Sequence, residues 1–249
     1  MNYFVEGIQG AGKSTMVGKL AKEYPDYTVF REGDYSPVEL AWCAYVEKQE
    51  YADILKRYPT LTDEIKEKSV QEGDRRIICY TRILTDVPGF HKDLEQYEIY
   101  NGRRSKEEFE KIVLERFARW QGENQIFECS IFQNMIENLL LFFEMNDEEI
   151  LEFYHKVSLA LTGKQYQIVY LEVEDIRATE EVIRKERSDE QGRELWFPLM
   201  ISYLEGSPYG KRHKLQGMDG LVRHLENRVK LEKRILAEVF PEHAVIKRR

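Results

Sequence analysis

The sequence predicts an α/β protein built as a three-layer sandwich, with a parallel sheet of about five short strands and helices on both faces. Three observations lead there. Short apolar runs with little polar alternation are separated by longer helix-forming stretches, the pattern of strands buried on both faces of a parallel sheet. The first of these runs passes through a glycine-rich turn straight into a helix. The chain has 249 residues without an internal repeat, enough for one large core or one core plus an insertion, and is read as a single domain, 1–249.

In chain order, Tyr3-Phe4-Val5 reads as the first strand and Thr15 to Lys22 as the first helix. Tyr27 to Phe30 reads as a second buried strand that breaks at Arg31-Glu32-Gly33-Asp34. Ser36-Pro37-Val38-Glu39 predicts a helix start, with Ser36 as N-cap, Pro37 in the first turn, Glu39 completing a capping box, and Leu40, Ala41, Ala44 and Tyr45 on the helix. Asp63 to about Leu84 begins as a polar helix, whereas Ile77-Ile78-Cys79-Tyr80 fits either a continuing helix or a strand. Residues 85–104, with Pro88, Gly89 and Gly102, read as an insertion or specificity loop. Ser105-Lys106-Glu107-Glu108 opens a helix to about Trp120, and Gln125 to Glu128 forms a third strand. An apolar helix over Ile131 to Glu144, a helix capped by Asn146, a fourth strand over Ile168 to Val173, two helical stretches and a last strand over Ala244 to Ile246 complete the pattern.

The net charge of −8 argues against a general duplex nucleic-acid binder, since that affinity comes from neutralising phosphates with Lys and Arg. Cys43, Cys79 and Cys129 form no C-x-x-C pair, and the five histidines show no metal-ligand spacing. The N-terminus lacks a signal-peptide pattern, and the longest apolar stretch, Leu139 to Phe143, cannot span a bilayer. A cytoplasmic protein without membrane partners is expected, acting on a small-molecule acceptor; a homodimer is left open.

The chemistry concentrates in Gly7-Ile8-Gln9-Gly10-Ala11-Gly12-Lys13-Ser14, which has the G-x-x-x-x-G-K-[ST] spacing of a phosphate-binding loop. Its backbone N–H groups are suited to curl around di- or triphosphate oxygens, Lys13 to reach the β- and γ-phosphates, and Ser14 to ligate Mg²⁺. ATP and Mg²⁺ are therefore the expected cofactors, held by Gly7, Gln9, Gly10, Ala11, Gly12, Lys13, Ser14 and Thr15. In a parallel sheet the ligand lies at the carboxyl ends of the strands. That rule selects Arg31 and Glu32 after the second strand and Glu128 at the end of the third, where a carboxylate could hold Mg²⁺ together with Ser14. After the fourth strand it selects Arg177, Arg184, Lys185 and Arg187 as cations for a transferring phosphoryl group. The alternative for these is a solvated basic stretch paired with Glu180, Glu181 and Glu186. Trp42 is a candidate for stacking a base, with core packing as its alternative.

The segment Val5-Glu6-Gly7-Ile8-Gln9-Gly10-Ala11-Gly12-Lys13-Ser14-Thr15 resembles the opening of the thymidylate kinases and deoxynucleoside kinases. Arg31-Glu32-Gly33 is similar to the R-E-P segment of the former, whose arginine handles the nucleotide's phosphate, and to the E-P-V segment of the latter, whose glutamate acts as base. Pro37-Val38 and Trp42 resemble the residues that come after that glutamate in the deoxynucleoside kinases. Glu128-Cys129-Ser130 resembles their E-R-S or D-R-Y triplet, and Arg184-Lys185-Glu186-Arg187 their arginine-bearing lid. The resemblance covers about half of the chain. It implies a P-loop NTPase fold with a helical lid and an ATP-dependent kinase in which Lys13, Glu32, Arg184 and Arg187 are catalytic, Arg31, Glu32 and Trp42 bind the acceptor, and Ser14 and Glu128 hold the metal. Cys129 stands where those families place arginine, Gly33 where proline is usual, and residues 85–104 have no counterpart. A nucleotide-binding regulatory protein without transfer, and a kinase for an antibiotic or cofactor precursor, are the other readings.

Overall fold

In a computed structural model of the chain, residues 1–194 and 196–248 are described. They run β1 (Asn2–Glu6), α1 (Lys13–Glu23), β2 (Thr28–Phe30), β3 (Ala44–Glu47), α2 (Lys48–Arg57), α3 (Thr62–Glu67), β4 (Ser69–Glu72), β5 (Arg75–Ile78), α4 (Phe90–Glu95) and α5 (Lys106–Arg119). Next come β6 (Gln125–Glu128), α6 (Gln133–Glu137), α7 (Asp147–Ala160), β7 (Tyr166–Glu172), α8 (Ile176–Glu186), α9 (Trp196–Gly206), α10 (Pro208–Arg212), α11 (Gly217–Glu238) and β8 (Ala244–Arg248). The chain divides into two compact units: Met1–Val29 with Gln121–Arg249, and Phe30–Trp120.

The first unit carries a five-stranded parallel sheet in the order β2-β6-β1-β7-β8. Its register places Phe4 opposite Phe127 and Ile168, and Val5 opposite Glu128 and Val169. Alternation then sends Phe4, Phe127, Ile168 and Tyr170 to one face and Val5, Ile126, Val169 and Leu171 to the other. On the second face Val5, Ile126, Val169 and Leu171 pack with Val17 and Leu20 of α1. On the first, Phe4 stacks on Phe127 at 4.8 Å and Phe132 meets Tyr154 of α7 edge-on at 5.5 Å. Both faces are covered by apolar side chains, which is why these strands lack polar alternation. The arrangement is compatible with a three-layer sandwich.

The second unit is built on a three-stranded antiparallel sheet, β3-β5-β4. Ala44, Val46, Ile54, Ile65, Ile78, Phe90 and Leu94 form its core. The buried Arg116 of α5 donates to both carboxylate oxygens of Glu72 and to the Ser36 carbonyl, and Arg119 joins Glu72 at 2.7 Å.

Two expectations are corrected and one alternative is decided. Residues 36–45 are not a helix: the Ser36 hydroxyl accepts the Val38 and Glu39 N–H groups, each at 3.3 Å, but the turn goes no further and Ala44 to Glu47 become β3, paired with Arg75 to Ile78. Ile77 and Ile78 accordingly belong to a strand. The stretch Ile131 to Glu144 is not one α-helix, since α6 passes into a π-helical turn over Asn138–Phe142. Ser105 and Asn146 do cap α5 and α7, each side chain accepting helix N–H groups. Residues 85–104 lie in the second unit and contain α4. Among the described residues no helix is long and apolar enough to cross a membrane.

Candidate phosphate site

In the first unit, the loop between β1 and α1 turns on glycines with positive φ: Gly7 at 136°, Gly10 at 73° and Gly12 at 87°. Gly7 is needed for space as well as for φ. A Cβ there would lie 2.6 Å from the Leu171 carbonyl oxygen of β7 and 3.2 Å from Ala11 Cβ. Gly7→Ala is expected to destabilise the chain by about 2–4 kcal/mol in urea denaturation, because backbone strain and overpacking add at one position. An unchanged midpoint would show that the loop relaxes freely.

Gly12 is the N-cap of α1 and brings no capping side chain, and no acidic residue stands in the first turn. The first N–H groups of α1 are thus left for an anion, which the helix dipole favours. Lys13 is buried, and its Nζ donates to the carbonyls of Gly7 (2.9 Å) and Ile8 (2.7 Å). The loop lysine is held within the loop itself.

Ser14 Oγ donates to Glu128 Oε1, so the hydroxyl at the start of α1 and the carboxylate ending β6 meet. These hard oxygen donors suit Mg²⁺, which binds through one or two protein groups plus water and phosphate. No larger cluster of metal-ligating side chains exists among the described residues. Cys129 comes next with φ 58°, buried, its N–H donating to Val5 O at 3.2 Å.

Glu6, at the end of β1, is fully buried and accepts the N–H groups of Ile131 (2.7 Å) and Phe132 (3.2 Å). Burial pushes its carboxyl up to about 7, against those two amides and the nearby Lys13 charge. Glu180 of α8 is likewise raised to about 7, chiefly by burial. Both groups therefore hold protons in the folded chain that the unfolded chain has released. Their contribution to stability is full below about pH 4.5 and lost as pH rises through 7. For Glu6 the loss is on the order of 3 kcal/mol. Thermal melts should show Tm falling between about pH 5 and 7.5, with a shallower fall in Glu6→Gln; parallel pH profiles would contradict this.

Of the arginines placed after β7, Arg184 pairs with Glu194 (2.6 Å) and lies over the Phe197 ring (5.0 Å), while Arg187 lies over Trp196 (4.5 Å). Arg177 pairs with Asp219 of α11. These contacts stand on other segments, while Glu180 also feels the Arg187 charge and Arg177 that of Glu181.

In the second unit the structure brings Glu32 and Trp42 together: Trp42 Nε1 donates to Glu32 Oε1 at 3.0 Å. Trp42 is 45% exposed, with φ 62°, so it is not a core residue. Arg82 donates to the Glu32 carbonyl (2.8 Å) and pairs with Asp34 (2.9 Å). The carbonyl of Arg31 closes the turn by accepting the Asp34 N–H at 3.0 Å. Glu39 is buried beside this group; burial raises its carboxyl to about 8, against its hydrogen bond from Tyr100 and with the Glu32 charge adding to the rise. Arg103 pairs with Glu95, and Arg104 donates to Tyr45 O at 3.1 Å. Tyr45 lies in β3 and packs against Arg75, 5.4 Å from its ring.

The largest feature not anticipated from sequence is a buried network in the first unit. Arg228 of α11 donates to Glu232 Oε1 (2.7 Å) and Glu137 Oε1 (2.6 Å), His224 Nε2 meets Glu137 Oε2 (2.8 Å), and Tyr170 OH donates to Glu232 Oε2 (2.7 Å). Burial would raise the Glu137 carboxyl, but His224 and Arg228 prevail and hold it at about 2. A sequence signal existed in the i,i+4 spacing of Arg228 and Glu232, which reads equally as a solvated pair.

The sequence matches no protein-family model and no curated protein.

Proposed function

We propose that this chain is an ATP-dependent phosphotransferase that moves the γ-phosphoryl group of ATP to a nucleoside, a nucleoside monophosphate or a similar small acceptor. One observation carries the reading: an uncapped α1 N-terminus, the loop lysine and the Ser14–Glu128 oxygen pair converge on the loop that joins β1 to α1. Phosphoryl transfer demands chiefly positioning and charge neutralisation, and these groups offer both. Lys13 and the loop amides bind the triphosphate. Ser14 and Glu128 hold Mg²⁺, which when bound supplies charge neutralisation at the phosphates. An acceptor oxygen forms the new P–O bond, the bridging β–γ P–O bond breaks, ADP departs with that electron pair, and Glu32 takes the acceptor's proton. Arg184 and Arg187 neutralise the moving group after exchanging their present partners for phosphate. Arg31 suits an acceptor that already carries a phosphate, favouring a nucleotide kinase; dominance of Glu32 favours a nucleoside kinase.

The test is ATP turnover against a panel of nucleosides and nucleoside monophosphates. Phosphorylation of at least one acceptor, lost in Glu32→Gln, is expected. ATP binding with no acceptor phosphorylated would overturn transfer and favour a nucleotide-binding regulatory protein. That second reading draws on Cys129, a buried neutral side chain where the resembled families carry an arginine.

A further inference from the structure

Both carboxyl oxygens of Glu180, Gln9 Nε2 and Arg228 Nη2 are among the buried side-chain polar atoms of the first unit that lack a well-formed hydrogen bond among the described residues. They come from α8, the phosphate loop and α11. The Glu180 carboxyl is acted on first by the Gln9 side-chain amide, through a hydrogen bond, and then by the charges of Arg228, Arg187 and Lys13. The same helix presses on the loop from above Gly10, where an added Cβ would lie 2.3 Å from Ile183 Cδ1 and 2.8 Å from Thr179 Cγ2. An acidic group therefore sits in the electropositive surroundings of the phosphate loop, and the helix that carries it is in contact with that loop.

Unpartnered polar atoms this deep are costly, and a half-satisfied buried network is less stable than a complete one. Arg228 Nη2 has no acceptor, and the Glu180 carboxyl has only the Gln9 amide and the nearby cations to set against its burial. A phosphate group brings oxygen acceptors for the loop's donors and the α1 amides.

We propose that Glu180 is a built-in competitor of phosphate: α8 keeps its carboxyl among Gln9, Lys13, Arg187 and Arg228, and nucleotide phosphates bind by displacing it. This rests on the reading of the loop as an ATP site, and it makes α8 an autoinhibitory contact rather than an idle cover. Exchange of a buried, poorly satisfied carboxyl for a fully hydrogen-bonded phosphate drives the displacement. If the open form is a minor species, apparent affinity is lowered by its fraction.

The experiment compares Mg·ATP binding by the wild type, Glu180→Gln, Glu180→Ala and Lys13→Ala in the full chain, with amide hydrogen exchange of residues 176–186. Removing the carboxylate should tighten ATP binding by roughly tenfold, as expected for an open fraction near one tenth. Residues 176–186 should be protected without nucleotide and lose protection when ATP is added to the wild type. Binding detected only in the Glu180 variants would also support the proposal. Unchanged or weaker ATP binding in both variants, with wild-type binding that depends on Lys13, overturns the competitor alone. Protection over 176–186 that rises with ATP overturns it too. Absence of Lys13-dependent ATP binding in every protein overturns both the competitor and the phosphate-loop reading.

Discussion

In a titration with Mg·ATP, Lys13→Ala is expected to bind about 30- to 1,000-fold more weakly than the wild type. The magnitude comes from the chemistry of the group. A hydrogen bond to a charged partner contributes about 1.5–3 kcal/mol, and an ammonium reaching two phosphates loses roughly 2–4 kcal/mol on truncation, at about 1.4 kcal/mol per tenfold. In the present arrangement the same ammonium is held by the Gly7 and Ile8 carbonyls, so truncation also removes its two hydrogen bonds from inside the loop. Loop collapse and loss of charge are separated by Ser14→Ala. That variant keeps Lys13 in place but removes the hydroxyl that meets Glu128. It should retain most ATP affinity measured without Mg²⁺ and lose the gain that Mg²⁺ brings, whereas Lys13→Ala should lose both. Equal ATP affinity in Lys13→Ala and wild type would remove the phosphate-loop reading altogether.

The loop and the strands of the parallel sheet were legible because their signals are local. Glycines with positive φ, an apolar run before them and helix formers after them all lie within about 20 residues of one another. The Ser105 and Asn146 caps were legible for the same reason. Residues 36–45 were misread because their signals are also local but lose to a distant partner. Ser36, Pro37 and Glu39 spell a helix start, yet backbone pairing of Ala44 to Glu47 with Arg75 to Ile78 offers a ladder that no local window contains. Glu39 then folds inward, a carboxyl oxygen accepting the Ala41 N–H at 2.6 Å. Glu180 and Arg228 were hidden differently. Both sit on helices rich in charge, and sequence spacing cannot tell which face of such a helix is covered. Glu180 in particular looked like a solvated partner for neighbouring arginines, whereas it is fully buried, and Arg184 and Arg187 lie against Glu194, Phe197 and Trp196.

The largest effect on stability is expected from Arg228→Ala, at about 3–5 kcal/mol. Arg228 is fully enclosed and its charge is shared between Glu232 and Glu137, which stand on α11 and α6. Deleting it leaves the buried Glu232 with only the Tyr170 hydroxyl and Glu137 with only His224. For a domain of this size the loss corresponds to a fall in Tm of roughly 6–20 °C. Acidification provides an independent test. Because Glu137 is held at about 2, its contribution is present above about pH 4.5 and disappears as pH falls toward 2. Arg228→Ala should remove much of that dependence, so its melts should lose less than the wild type's on acidification. Arg228→Lys should not rescue, since a single ammonium cannot replace a planar fork that serves two carboxylates. A combined Arg228→Met, Glu232→Met, Glu137→Gln variant should recover a large part of the loss, because replacing a buried ion network as a whole is close to neutral while removing one member is not. Were Arg228→Ala as stable as the wild type, water would have to reach these carboxylates, and the network would be a hydrated groove rather than a support. The register places Glu6 opposite Tyr170, whose hydroxyl reaches Glu232. The network therefore extends to the strand end from which the phosphate loop departs. Arg228→Ala should for that reason weaken ATP binding even at temperatures where the chain remains folded.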